Sequence, residues 1–548
     1  MKRETIFEIA YLLIIVGVFL WLGLGAVWNH EIEHSKPWGY FAGDAFQHQI
    51  RATSIQDNGN YHFEPEYMTF GYKDVRGNYP PLLNHIAVQL SNLTGLKVFD
   101  TILFSVFFLA SLAIIAMYFI IKHFDSRVAI LAMPLSIFLL TARGSWIGFF
   151  FGHWPAVVGN VFLVLTIWAL LRIENKNGWI LLGIALAGTA LGHTSEAIFA
   201  VLLIMAVVIF QFVKKQMSKE LFFKYARAAA LFFVLSIFYI LIFKQSWMAT
   251  QPFTFIVQTE WEGGGGVLNF KDFGWTAFVM AIGMIAVPFL FRKSNPKIAI
   301  LSYSAFVLGY TNYVGFVQRA FNFRFFWPLY LALFFGVGIL TILTIASSLI
   351  KKQASKNICY IVAIIILAVL ARGYAPVQGP GLMQDITWEM LQWIDSNTEK
   401  NSTVLYLYGD LYGQNTLLVN SRRQTVLVNL DDYIGKLQKG VVSRYVNASL
   451  YWDFNGGLPH GNIFSLGLYM LEDERFNRRI THDLCTFDYY TVDKTSQQNP
   501  VLAEYNKAVG SLLVKNNWIK PVYGNQLTVL LKNENPGKEC MPNETKVA

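Results

Sequence analysis

Charge is scarce in this sequence. Only 14% of its 548 residues are Asp, Glu, Lys or Arg, where a soluble globular chain carries roughly 25%. The shortfall lies in apolar runs of about 20 residues, the length that crosses a bilayer core, and it excludes a wholly water-soluble protein. Cysteine is scarcer still, at three residues. No C-x-x-C or H-E-x-x-H spacing occurs, which excludes zinc-ribbon and zincin motifs. No tandem repeat is present, which argues against repeat-built transporters. The one low-complexity tract, the glycines at 263–266, lacks the lysine and strand-to-helix setting of a phosphate-cradling loop and reads as a hinge. No small-residue cleavage site follows the first apolar run, 6–28, so a retained anchor is expected there.

What the chain has is apolar surface: 54% of it is hydrophobic and 16% aromatic. About eleven spans are expected, near 6–28, 98–121, 128–142, 151–171, 179–192, 197–213, 226–245, 273–291, 298–315, 325–348 and 357–371. An odd number puts the termini on opposite sides. With the N-terminus inside, the inner segments hold 17 Lys and Arg, so the positive-inside rule gives N-in and C-out. The net charge of +9 reflects these loops and does not point to nucleic acid. Asn-x-Ser/Thr sequons at Asn92, Asn401, Asn447 and Asn543 all fall in segments this topology places outside. The expectation is a polytopic α-helical protein of the plasma membrane, with the bilayer as its solvent and an extracytoplasmic C-terminal domain.

Two domains are expected, a transmembrane one over 1–371 and a soluble α/β one over 372–548. Within the first, 30–97 is too long for a simple connector; it reads as two surface helices, over 44–55 and after Pro80 and Pro81. In the second, "TWEMLQWIDSN" and "PVLAEYNKAVGSLLVKNN" read as helices, and "STVLYLYG" and "RQTVLVN" as buried strands. "IKPVYGNQLTVLLK" reads as a hairpin turning at Gly524-Asn525. Cys485 and Cys540 both lie there and could pair in an oxidising compartment.

Ionisable residues near membrane depth are functional candidates, and here they cluster at the outer ends of spans. They are Asp44, His48 and Arg51 in "GDAFQHQIRA"; Arg143 and His153 in "TARGSWIGFFFGHWP"; His193 and Glu196 in "LGHTSEA"; Glu260 and Glu262 in "QTEWEGGGG"; and Arg319 and Arg324 in "FVQRAFNFRFFWP". Asp44, His48 and Arg51 share nearly one helix face. The plainer reading is a solvated helix with a local ion pair; for His193 and Glu196 it is a hydrogen-bonded capping turn; for Arg319 and Arg324, contact with lipid headgroups.

This layout resembles the GT-C superfamily of integral-membrane glycosyltransferases, distantly the branch of the oligosaccharyltransferase catalytic subunit. The family's first outer loop carries an aspartate and a D-P-Y-Y-H-x-R-like helix; here Asp44 and His48 keep that spacing and Arg51 is displaced by one. A family T-x-x-E-like motif matches "TEWE" at Thr259 and Glu262, and an Arg-Phe pair opening a late span matches Arg324-Phe325. The sequence also departs from the pattern. The stretch 141–155 holds no Asp or Glu, and a W-W-D-Y-G signature is missing near Asp410, with only "YWDFNGG" at 451–457 similar by letters.

The resemblance implies transfer of a sugar from a polyprenyl-phosphate-linked donor to an acceptor on the outer face. Asp44 would be the catalytic base and a metal ligand for a divalent ion, Mg or Mn. Arg324, Arg319 and Arg51 would hold the donor phosphate, and Glu262 and Thr259 would close over the acceptor. His48, His153, His193 and Glu196 would position these groups. The acceptor is a glycan, lipid or protein, and the departures point away from a protein sequon. The alternatives are a non-catalytic transporter, flippase or membrane assembly protein, or an inactive relative.

Overall fold

The structure is a computed structural model. It describes residues 3–41, 43–61, 67, 76–77, 80–141, 148–150, 152–249, 273–290, 296–310, 326–349, 355–373, 379–407, 420–428, 435–436, 439–449, 468–469, 480–494 and 500–546. These fall into two compact units, one of 1–32, 80–87 and 101–379, the other of 33–79, 88–100 and 380–548.

The helices, in chain order, begin with α1 (Arg3–Val27), the first-loop helices α2 (Gly43–Asn58) and α3 (Leu82–Thr94), and α4 (Val98–Lys122). Then come α5 (Ser126–Ala132), α6 (Phe138–Thr141), α7 (Trp154–Leu171), α8 (Gly178–Gly192), α9 (Thr194–Val213) and α10 (Lys219–Ala249). The last of the first unit are α11 (Trp275–Leu290), α12 (Pro296–Tyr310), α13 (Trp327–Tyr330), α14 (Ala332–Leu349) and α15 (Lys356–Arg372). A helix thus falls in each of the eleven apolar runs. Pro134 turns the third run into a 3-10 segment between α5 and α6, as a missing N–H requires. Among the described residues five helices, Glu4–Gly25, Val98–Lys122, Trp154–Leu171, Thr194–Val213 and Lys219–Leu241, are long and apolar enough to cross a membrane by length and composition.

Small residues let these helices approach. A Cβ at Gly283 of α11 would overlap the Phe334 carbonyl of α14, and one at Gly338 of α14 would overlap the Val279 carbonyl. Gly159 of α7 and Gly192 of α8 meet similarly, with a Gly192 Cβ falling 2.9 Å from the Gly159 Cα. Such contacts replace the hydrophobic drive that lipid removes. Ion pairs join other helix ends: Glu8 with Lys122, Glu4 with Lys356 at 3.3 Å, and Glu174 with Lys297. They bring together the starts of α1, α12 and α15 with the ends of α4 and α7.

The second unit is built on a sheet. Its helices are α16 (Asp385–Asn397) and α17 (Pro500–Leu513). Its strands are β1 (Arg76–Gly77), β2 (Thr403–Leu407), β3 (Gln424–Val428), β4 (Val441–Ser443), β5 (Tyr445–Ser449), β6 (Leu468–Tyr469), β7 (Ile480–Asp483), β8 (Tyr489–Asp493), β9 (Ile519–Gly524), β10 (Thr528–Asn533) and β11 (Glu544–Lys546). Seven strands form one mixed sheet in the order β7-β5-β3-β2-β8-β10-β9, parallel only at β3-β2-β8. The β9–β10 hairpin and the two helices stand where the sequence pattern put them. Register sorts the side chains by face. Leu405, Tyr490 and Leu531 line up across β2, β8 and β10 and bury with Tyr505, Val509 and Leu513 of α17. The other face carries Tyr406 and Tyr523, and there Trp393 of α16 packs at a tilt against Tyr523, 5.3 Å between centroids.

Cys485 and Cys540 are bonded, with Cα atoms 5.4 Å apart, closing a span of 55 residues within that core. Beside the bond, Arg444 grips Asp483 through two hydrogen bonds of 2.8 and 2.6 Å. Burial opposes ionisation at Asp483, but the Arg444 bonds, the Cys485 amide and the Arg444 charge outweigh it and hold the carboxyl below its ordinary value. Burial alone pushes neighbouring His482 below its ordinary value. Both groups therefore bind fewer protons folded than unfolded, and stability is lost as pH falls. The His482 share fades below about pH 6.5 and the Asp483 share below about pH 4. Thermal unfolding in detergent should give a Tm that drops steadily from pH 7 to pH 3. Asp483→Asn should lower Tm at pH 7 and flatten the drop below pH 4; an unaltered slope would reject the Arg444–Asp483 contribution.

Candidate active site

Helix α2 is mostly polar, with Ala45, Phe46, Ile50, Ala52 and Ile55 among its 16 residues. Yet every residue from Ala45 to Ser54 is buried, with His48 2% and Arg51 4% exposed. The solvated-helix reading is thereby overturned. Polar contacts within the second unit tie the helix and its end to neighbouring segments. Gln49 Nε2 donates to Asn420 Oδ1 at 2.7 Å, and Gln56 Nε2 donates to Ser91 Oγ at 3.2 Å and Asn92 Oδ1 at 3.0 Å. Asp57 pairs with Arg422 at 3.3 Å. Loss of hydration raises the Asp57 carboxyl above its ordinary value despite the Arg422 charge.

Asp44 stands in the first turn of α2, where the helix dipole favours a carboxylate. It is partly exposed, with Gln47 Nε2 at 3.4 Å from its Oδ1. The strand of chain leading to it is fixed on both sides. Tyr40 donates to the Phe99 carbonyl at 2.7 Å, His34 Nδ1 meets Asp100 at 2.7 Å, and Lys36 pairs with Asp385 at 2.8 Å. A Cβ at Gly381, whose φ is +83°, would overlap the Tyr40 backbone, so only glycine fits beside it.

A second polar cluster lies in the helical unit. His193 caps α8 and begins α9 in extended conformation. Its Nδ1 is hydrogen-bonded to Glu196 Oε2. The other carboxylate oxygen accepts from Asn160 Nδ2 of α7 at 2.9 Å, and Tyr330 of α13 donates to Asn160 Oδ1 at 2.9 Å. Four side chains from three separate segments thus form one relay. The reading of His193 and Glu196 as a local capping turn is too small. His153 sits immediately before α7, without a side-chain bond to its first turn. The sequence pointed to His193 and Glu196 by spacing. It missed Asn160 and Tyr330, although Asn160 is a lone amide in an otherwise apolar run.

Thr259, Glu262, Arg319 and Arg324 lie outside the described residues, as do Arg143 and Asp410. Among the described residues no three His, Cys, Asp or Glu side chains converge to hold a metal.

No protein-family model and no curated protein matches the chain. Solved structures do. The archaeal oligosaccharyltransferase AglB from Archaeoglobus fulgidus, in complex with an inhibitory peptide and a dolichol-phosphate, matches with a TM-score of 0.57 at 13% identity, over 90% of this chain and 70% of that one. ArnT from Cupriavidus metallidurans bound to undecaprenyl phosphate matches at 0.54 and 11%, over 96% and 98%. The mycobacterial arabinofuranosyltransferase AftD matches at 0.53 and 12%, over 98% and 40%. This is the GT-C glycosyltransferase fold. At these identities the likeness is one of fold alone. A further structure of the A. fulgidus enzyme holds Zn and sulfate.

The relay can be probed by stability. Asn160→Leu strands the Glu196 carboxylate and should cost about 1–3 kcal/mol. Tyr330→Phe should cost less, and the double variant should be less destabilised than the sum of the two. Strict additivity in detergent unfolding would dissolve the relay into separate contacts.

Proposed function

We propose that this protein is a multi-pass membrane glycosyltransferase. It moves a sugar from a polyprenyl-phosphate-linked donor to an acceptor on the outer face, in an N-in, C-out arrangement with the sheet-bearing domain outside. The observation that supports this most is the GT-C fold, matched over at least nine-tenths of the chain by enzymes of which two were solved with a polyprenyl phosphate. Asp44, at the head of a helix buried from Ala45 to Ser54, is the group we assign to the chemistry.

The acceptor hydroxyl attacks the sugar's anomeric carbon while Asp44 takes its proton. The bond from that carbon to the phosphate oxygen breaks, and the electron pair stays on the phosphate. That charge needs fixed cations at the membrane surface; Arg324 is the first assignment, with Arg319 and Arg51 as helpers. Thr259 and Glu262, flanking the 263–266 glycines, would fold over the acceptor.

A divalent ion such as Mg or Mn is a further partner of this fold, given the Zn-bearing relative. Asp44 offers one suitable oxygen. The stretch 141–155 supplies no second carboxylate and the described residues gather no ligand set, so no step is routed through a metal.

Asp44→Asn in the purified protein should lower transfer from a polyprenyl-phosphate sugar by at least a hundredfold with folding intact; undiminished turnover removes Asp44 from the chemistry. Arg324→Ala should raise the apparent KM for the lipid donor more than it lowers kcat. An unchanged KM moves the phosphate contact to another residue.

A further inference from the structure

Three exposed asparagines of the second unit open an Asn-x-Thr triplet: Asn92 before Leu93 and Thr94, Asn401 before Ser402 and Thr403, and Asn543 before Glu544 and Thr545. That triplet, with no proline in its middle, is the acceptor signal for an N-linked glycan, which needs a surface position. Such triplets also arise by chance, so their setting decides. Asn401 stands in the turn that the Ser402 amide closes onto the Glu399 carbonyl at 3.0 Å, directly ahead of β2. Asn92 lies in the last turn of α3, although asparagine is a poor helix former. Asn543 leads into β11 and is held through its backbone, where its carbonyl accepts from the Arg444 amide at 2.9 Å. The fourth triplet differs. It ends in Ser449, and Asn447 sits within β5, between β3 and β7.

Contacts place two of the three on one rim, at the C-terminal end of α2. Gln56 of that end donates to Asn92 Oδ1 at 3.0 Å. Asp57 pairs with Arg422 at 3.3 Å, and the adjoining Arg423 donates to Thr398 at 2.8 Å, just ahead of the turn that holds Asn401. Asp44 heads the same helix, about 18 Å of rise from this rim. A bulky hydrated chain attached at Asn92 or Asn401 therefore starts well clear of the group assigned to the chemistry.

We infer that Asn92, Asn401 and Asn543 carry N-linked glycans. The inference rests on the outward placement of the sheet-bearing domain in the proposed function. The asparagine Nδ2 forms a bond to the anomeric carbon of a polyprenyl-linked sugar and gives up one proton to a base of the transferring enzyme. The bond from that carbon to the phosphate oxygen breaks, and its electron pair leaves with the polyprenyl phosphate. The transferring enzyme is a separate, protein-glycosylating one, because this chain departs from the pattern that reads a protein sequon.

The test is glycopeptide mass spectrometry of the full-length protein purified from its native membranes. Peptides holding Asn92, Asn401 and Asn543 should each carry added sugar mass. Thr94→Ala keeps Asn92 but removes its signal; it should abolish the glycan there and leave those at Asn401 and Asn543. Asn401→Cys reports the side of the membrane, since Cys359 is buried and Cys485 is bonded to Cys540. A membrane-impermeant maleimide applied to intact cells should label this new thiol, and Asn543→Cys gives the same readout from a second site. Labelling from outside together with three bare asparagines in the wild type would overturn the inference and leave the outward placement standing. Sugar on Asn92 that survives Thr94→Ala would overturn it too, as a modification that ignores the triplet. Labelling of both thiols only after lysis would overturn the outward placement, and this inference with it.

Discussion

A buried carboxylate closes the first loop, and the position of Asp44 follows from that closure. Asp100, 1% exposed in the first turn of α4, accepts from the His34 backbone amide at 3.0 Å and from the His34 ring at 2.7 Å. A carboxylate taken out of water is costly unless its oxygens are filled; here both are. The pairing clamps two points 66 residues apart. Tyr40, bonded to the next carbonyl along, fixes the approach to α2 from the same side. Burial and the nearby Asp100 charge both hold the Tyr40 phenol well above its ordinary value, so its hydroxyl keeps the proton it donates.

The two units solve the same problem by different means. In the helical unit the apolar helices meet through glycine, and single polar contacts such as Thr166–Thr189 and Tyr225–Gln211 join the helix-end ion pairs and the His193 relay. In the second unit, polar side chains carry a helix into the interior. Arg423 shows how dense that bonding is: its guanidinium donates to Asp395, to Thr398 and to backbone carbonyls at both positions.

The sequence made the apolar runs legible because period and length decide them, and a helix falls in each. The hairpin, the paired helices and the buried strands of residues 380–548 were legible for the same reason, through turn residues and β-branched runs. The burial of α2 was not. Its residues lack an apolar stripe, and their partners, such as Asn420, lie some 370 positions away. Asn160 and Tyr330 were hidden likewise, since 170 residues separate them. Only the His193 and Glu196 end of that relay falls within one helical turn, which is why spacing alone found it. The Cys485–Cys540 bond stayed open in the sequence, because distance across a fold cannot be read from separation along a chain.

The order of the seven strands leaves β9 at one margin of the sheet. That margin is built to refuse company. Pro521 withholds a backbone donor in the middle of β9, and Lys520 beside it is paired outward with Glu534 at 2.8 Å. The register slips between Leu530 and Leu531 of β10, which bends the margin away from a flat ladder. An unprotected margin recruits strands from neighbouring molecules. Crowded in a plane of lipid at high local concentration, a chain with such a margin can keep its sheets from zipping together.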